Sequence, residues 1–189
     1  MNTSKSISAA FLALALAAFA GAQSKPQQAA PPFSSWLKIA YMNNRNDISR
    51  SAAKVSEDLY GMRPGPQTEV RTFGQILGHL ANFNYLWCSQ AKGEKDPNQG
   101  KDLEKLTSKA DLTKALSGAF AYCDSVYSSL TDASAQESIQ ITQEDGKPAQ
   151  VKRLTLLVLN YGHNNEHYGN LFSYMRIKSI VPASSEPQK

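Results

Sequence analysis

The residues of this chain best suited to chemistry are its three histidines, His79, His163 and His167. His163 and His167 stand four positions apart in a stretch of helical character. A helical residue advances about 100° around the axis. The two imidazoles therefore lie about 40° apart on one face, one turn above the other. At that spacing two ring nitrogens can bind one metal ion. His79 lies in a separate helical stretch, flanked on the helical wheel by Ile76, Phe83 and Leu86. A titratable ring on an apolar face costs free energy unless a partner takes its lone pair. A metal shared with His163 and His167 would be such a partner. Two readings follow: a three-histidine site for a divalent transition metal, or core histidines each hydrogen-bonded to a neighbour.

Three neutral imidazoles leave a divalent ion its full charge and open coordination positions. Such a centre can activate a water or a thiolate as nucleophile. Zinc and nickel suit it foremost, and iron and manganese are also compatible, because selectivity follows geometry and availability. Asn160, Glu166, Asn170 and Tyr174 are the nearest groups to orient the rings. No catalytic side chain is assigned from the sequence. His163-Asn164-Asn165-Glu166-His167 also matches H-x-x-E-H, the inverted zinc-protease pattern. After His167, however, the only acidic residue is Glu186, near the end of the chain. Glu166 reads first as a solvated side chain at the edge of the histidine face.

The two cysteines, Cys88 and Cys123, exclude a disulfide-dense scaffold, a Cys-rich zinc module and a four-cysteine iron–sulfur site. Cys88 follows His79 by nine residues, about 180° around the helix, and so is no co-ligand. The pair either forms a disulfide or provides two small buried apolar side chains. Ser-His-Asp, P-loop and dinucleotide-binding glycine patterns have no support.

The histidines must be positioned by long helices. The first helical segment reads from about Phe33 to Tyr60, with Trp36, Leu37, Ala40, Tyr41, Ile48, Ala52, Val55 and Leu59 on its apolar positions. The second follows the N-cap Thr72 to about Ala91, carrying Phe73, Ile76, Leu80, Phe83 and Trp87. The third opens at Ser108, with Asp111 three residues on. The fourth spans about Val151 to Ile180, with a stripe of Leu154, Leu157, Val158, Tyr161, Tyr168, Leu171, Phe172 and Met175. Between the third and fourth, alternation over Ser138–Thr142 and a turn around Gly146 predict a short hairpin or ordered loop. The expectation is an all-α four-helix bundle over residues 33–180, with a loose tail over 181–189.

Residues 1–22 read as a secretory signal peptide. Lys5 charges its start, Ile7–Ala20 is apolar but shorter than the ~20 residues that span a bilayer, and Ala20-Gly21-Ala22 offers a cleavage site before Gln23. A Gln-, Ala- and Pro-rich lead-in over 23–32 follows. The expected location is periplasmic or extracellular. The net charge of +4 over 189 residues is mild, and no basic run carries interleaved aromatics. The expected partners are a small-molecule substrate of unspecified identity, no nucleic acid, and no membrane once the leader is removed.

Three stretches resemble the DinB-like (DinB/YfiT) superfamily of metal-dependent four-helix-bundle proteins. They are Met62-Arg63-Pro64 followed by Thr72–Leu80, then Tyr161–Leu171, and Tyr174-Met175-Arg176 leading to Val181-Pro182. The resemblance implies a four-helix bundle, a divalent metal held by His79, His163 and His167, and a homodimer as a common assembly. It also implies a thiol-dependent transferase or isomerase, since some relatives use low-molecular-weight thiols; the open metal centre itself equally admits a hydrolase. The secretion signal is a departure, because cytosolic thiols are scarce outside the cytoplasm. The alternative function is a non-catalytic metal- or ligand-binding bundle.

Overall fold

The structure is a computed structural model and describes residues 31–187 apart from position 144. The expected leader and most of the lead-in lie outside the described residues. Four long helices form the body: α1 (Phe33–Lys54), α2 (Phe73–Lys92), α3 (Lys109–Ser129) and, after the single-turn α4 (Asp132–Ala135), α5 (Arg153–Ile177). A hairpin of β1 (Ser138–Thr142) and β2 (Pro148–Lys152) precedes α5, pairing antiparallel with Gln140 opposite Gln150. It fills the place expected for a hairpin or ordered loop. Helix α2 packs against α3 and α5, and α1 packs against the same two, so α1 and α2 occupy opposite corners of the bundle. No described helix is long and apolar enough to cross a membrane.

Local chemistry sets the ends of α2. Thr72 accepts from the Gln75 amide while the Gln75 side chain accepts from the Thr72 amide, a full capping box. Gly93 ends the helix in the left-handed conformation, at φ 73°, where a side chain is disfavoured. Ser108 caps α3 as expected, accepting from the Asp111 amide.

Three expectations about the helices change. The first helix stops at Lys54 rather than near Tyr60. Val55 turns extended and is fully buried, a separate 3-10 turn covers Glu57–Leu59, and the Tyr60 hydroxyl folds back to donate to the Ala52 carbonyl at 2.7 Å. Trp36, expected on the buried face, is 50% exposed. On the last helix the expected stripe is rotated: Val158 is exposed, and the buried face runs Leu156, Leu157, Asn160, Asn164, His167, Leu171, Tyr174 and Met175. Hydropathy misplaced it because the inward face is itself polar in the middle.

The expected loose tail is pinned as far as Glu186. Lys54 donates to the Val181 carbonyl, Lys54 and Arg50 both pair with Glu186, Ala183 is buried, and Tyr168 donates to Ser184.

Buried amides join the long helices. Asn84 of α2 donates to Asn164 of α5 (2.8 Å) and to the Leu80 carbonyl (2.7 Å), and accepts from Asn160 (3.0 Å) and Asn164 (3.1 Å). Tyr127 of α3 donates to Asn160 at 2.9 Å and stacks on Tyr41 of α1 at 3.8 Å between ring centroids. Cys88 and Cys123 are joined by a disulfide linking α2 to α3, with their Cα atoms 5.3 Å apart.

Candidate metal centre

Helix α2 brings His79, and α5 brings His163 and His167, to one place between the two helices. One ring nitrogen from each lies within 4.8 Å of the others. His79 Nε2 and His163 Nε2 are 3.0 Å apart. Two imidazoles bound about 2.0–2.1 Å from one ion come within about 3 Å of each other, so this approach suits shared coordination. His79 and His167 are buried, at 7% and 8% exposure, and His163 is half-buried. Phe83 and Trp87 wall the centre, their ring centroids 4.8 and 4.9 Å from that of His163.

Burial is the largest influence on all three rings, and it favours their neutral forms. His163 is pulled down to about 3, first by desolvation and then by the neighbouring His167 and His79. His79 and His167 also lie below the usual histidine value because of burial; for His79 the hydrogen bond to Glu104 opposes that shift. Neutral imidazole is the form that ligates a metal. His163 Nδ1 is buried without a hydrogen-bond partner. The donor set therefore fits a divalent transition ion: three neutral rings converge in an apolar-walled site where protons are disfavoured.

The residues expected to orient the rings divide. Asn170 Nδ2 lies 3.2 Å from His167 Nδ1, which leaves Nε2 as that ring's uncommitted nitrogen. With its amide oxygen turned to the ring, Asn170 would accept Nδ1–H and keep the Nε2 lone pair free. Asn160 is committed to Asn84 and Tyr127, away from the rings. Tyr174 donates to the Arg71 carbonyl at 2.7 Å. Glu166 is exposed, and only its charge reaches His79 and His167. Cys88 is held by Cys123 and takes no part in the centre.

Sequence reasoning missed Glu104. Its Oε1 sits 2.6 Å from His79 Nδ1, and its carboxylate also pairs with Arg71, at 2.7 Å from Nε. Glu104 lies in the 3-10 turn Leu103–Lys105, which presses directly on α2. A signal for that contact was present in Gly78, directly before His79. A Cβ on Gly78 would lie 2.6 Å from the Leu103 carbonyl carbon and 2.8 Å from Glu104 Cα, so the position must be glycine.

A family model of the DinB superfamily matches residues 40–171. The chain belongs to the DinB superfamily. Among curated proteins it is similar to the uncharacterized protein YjoA of Bacillus subtilis, 27% identical over 137 residues, or 72% of this chain and 84% of YjoA. The crystal structure of YjoA superposes with a TM-score of 0.61 at 22% identity, covering 80% of this chain and 99% of that one. A DinB-like protein from Bacillus cereus gives a TM-score of 0.61 at 12% identity, covering 82% and 97%. The mycothiol-dependent maleylpyruvate isomerase gives 0.53 at 15% identity, with 75% of this chain aligned to 61% of the isomerase. At these identities the solved structures establish the shared fold.

Proposed function

We propose that this protein is an exported member of the superfamily that holds one divalent transition metal through His79, His163 and His167 and acts as a metal-dependent hydrolase. The observation that carries the reading is the convergence of three neutral ring nitrogens within 4.8 Å on two packed helices. Zinc or nickel suits three imidazoles best. A bound divalent ion would supply Lewis acidity and activate a water or a thiolate as nucleophile. The chain's own part is to hold the rings neutral by burial, to wall one side with Phe83 and Trp87, and to set the Glu104 carboxylate against His79. Glu104 contacts His79, and Glu166 stands at the exposed edge.

The leader over residues 1–22 and the Cys88–Cys123 disulfide both support export, since disulfides persist in oxidising compartments. Transfer from a low-molecular-weight thiol is the second reading, favoured by the fold likeness to the mycothiol-dependent isomerase. The oxidising context ranks it below hydrolysis.

The test is a substrate panel assayed with protein loaded with zinc or nickel, beside metal-stripped protein and His163→Ala. Ester and amide substrates are compared with electrophiles offered together with free thiols. Turnover that follows the metal and disappears in His163→Ala supports an enzyme. Stoichiometric metal without turnover on either class would move the reading to a metal-binding bundle.

A further inference from the structure

We infer that Glu104 is the positioning residue of the histidine centre. Its carboxylate, clamped by Arg71, holds His79 in the tautomer that turns the Nε2 lone pair toward His163 and His167. The inference deepens the metal-binding reading and rests on it.

A carboxylate accepts hydrogen bonds and donates none. At 2.6 Å from Glu104 Oε1, His79 Nδ1 therefore carries the ring proton, and Nε2 is left with its lone pair. Nε2 is the nitrogen that faces His163, at 3.0 Å. Without an acceptor at Nδ1 a neutral imidazole divides its proton between the two nitrogens. Part of the population would then present N–H to the centre and repel a cation. The carboxylate also makes the ring more basic toward a metal.

The turn that carries Glu104 is built to stay in place. Gly78 lacks the side chain that would push it away from α2. Asn82 of α2 accepts from the Leu103 amide (3.1 Å) and from Asn98 (2.9 Å), and donates to Asp102 (3.2 Å). Asp102 in turn accepts from the Glu104 amide at 3.1 Å. From the opposite side Arg71 grips both carboxylate oxygens, at 2.7 and 3.4 Å, and its own backbone is tied to α5 through the Tyr174 hydroxyl. Tyr174, expected to orient a histidine directly, thus acts through Arg71 and Glu104. The chain of contacts runs from α5 through the loop before α2 to the ring on α2, closing a circle around the centre.

Glu104→Gln keeps the size and removes the obligatory acceptor. In metal-free protein, two-dimensional 1H–15N spectra of the imidazoles should report Nδ1–H at His79 in the wild type and a mixed tautomer in Glu104→Gln. Zinc titration against a chromophoric chelator should give one equivalent for both, with affinity about 10–100-fold weaker in the variant. The visible spectrum of the cobalt-substituted form should shift. Thermal unfolding of the metal-free variant should remain cooperative. An unchanged tautomer together with wild-type zinc affinity would overturn the positioning role. Failure of the wild type to bind zinc would instead overturn the metal-binding reading, and the tautomer measurement would still decide what Glu104 does.

Discussion

Asn84 of α2 and Asn164 of α5 exchange amide hydrogen bonds in both directions, at 2.8 and 3.1 Å, in the dry middle of the bundle. Asn164 directly follows His163 in sequence, and Asn84 lies five residues beyond His79. This reciprocal pair sets the register of the two helices that carry the histidines. A purely apolar contact would allow sliding; a pair of buried amides tolerates little, because any shift strands polar atoms.

Replacing Asn84 with leucine should therefore be costly. It strands the amides of Asn160 and Asn164, and a buried unpaired polar group costs about 1–3 kcal/mol. Urea unfolding should show a loss of at least about 2 kcal/mol. An unchanged midpoint would mean that the amide network does not set the register.

The disulfide should contribute mainly through the unfolded chain. It closes a separation of 35 residues between α2 and α3. Loop-closure arguments give about 2–4 kcal/mol for such a link. A Cys88→Ala, Cys123→Ala double variant should unfold at correspondingly lower denaturant while still bringing the histidines together. Full alkylation of both thiols in native, unreduced protein would contradict the link.

Acid should destabilise the metal-free protein through its histidines. Burial lowers all three below the ordinary value of 6.5, His163 to about 3. Between those limits the unfolded chain takes up protons that the folded chain refuses, so stability is full above about pH 6.5 and falls as pH drops below it. Each such histidine lowers the folding constant by up to about tenfold per pH unit in that window. Comparison with His163→Gln between pH 7.5 and 5 should show a shallower fall in the variant. Equal slopes would mean that His163 is readily protonated in the folded state.

Glycine substitutions should separate the packed from the free positions. Gly78→Ala should weaken both stability and metal affinity, since the new Cβ collides with the turn bearing Glu104. Gly162→Ala and Gly169→Ala on α5 meet nothing within 4 Å and should stabilise the helix by about 0.5–1 kcal/mol each. Melting temperatures of the three variants test this, and equal shifts would refute it.

Much of this was legible in the residues themselves. Thr72 announced the start of α2, because a cap is local chemistry. The His163/His167 pair was visible because a helix converts a spacing of four into a shared face. The contact of Glu104 with His79 was not, because it joins a loop to a helix across 25 residues and depends on tertiary packing. Its only trace was Gly78, where the missing side chain admits the backbone of Leu103 and Glu104. The inward face of α5 was misjudged for a related reason. Asn160 and Asn164 are buried because partners on α2 and α3 satisfy them, and hydropathy records the residue but not its partner.

The most direct test of the central claim is the metal content of the protein from Gln23 onward, purified without chelators or a histidine tag. Elemental analysis should find about one equivalent of a transition metal, lost in both His79→Ala and His163→Ala while the helical signal in circular dichroism persists. No metal after incubation with zinc, nickel and manganese, or full retention in either variant, would contradict the three-histidine centre.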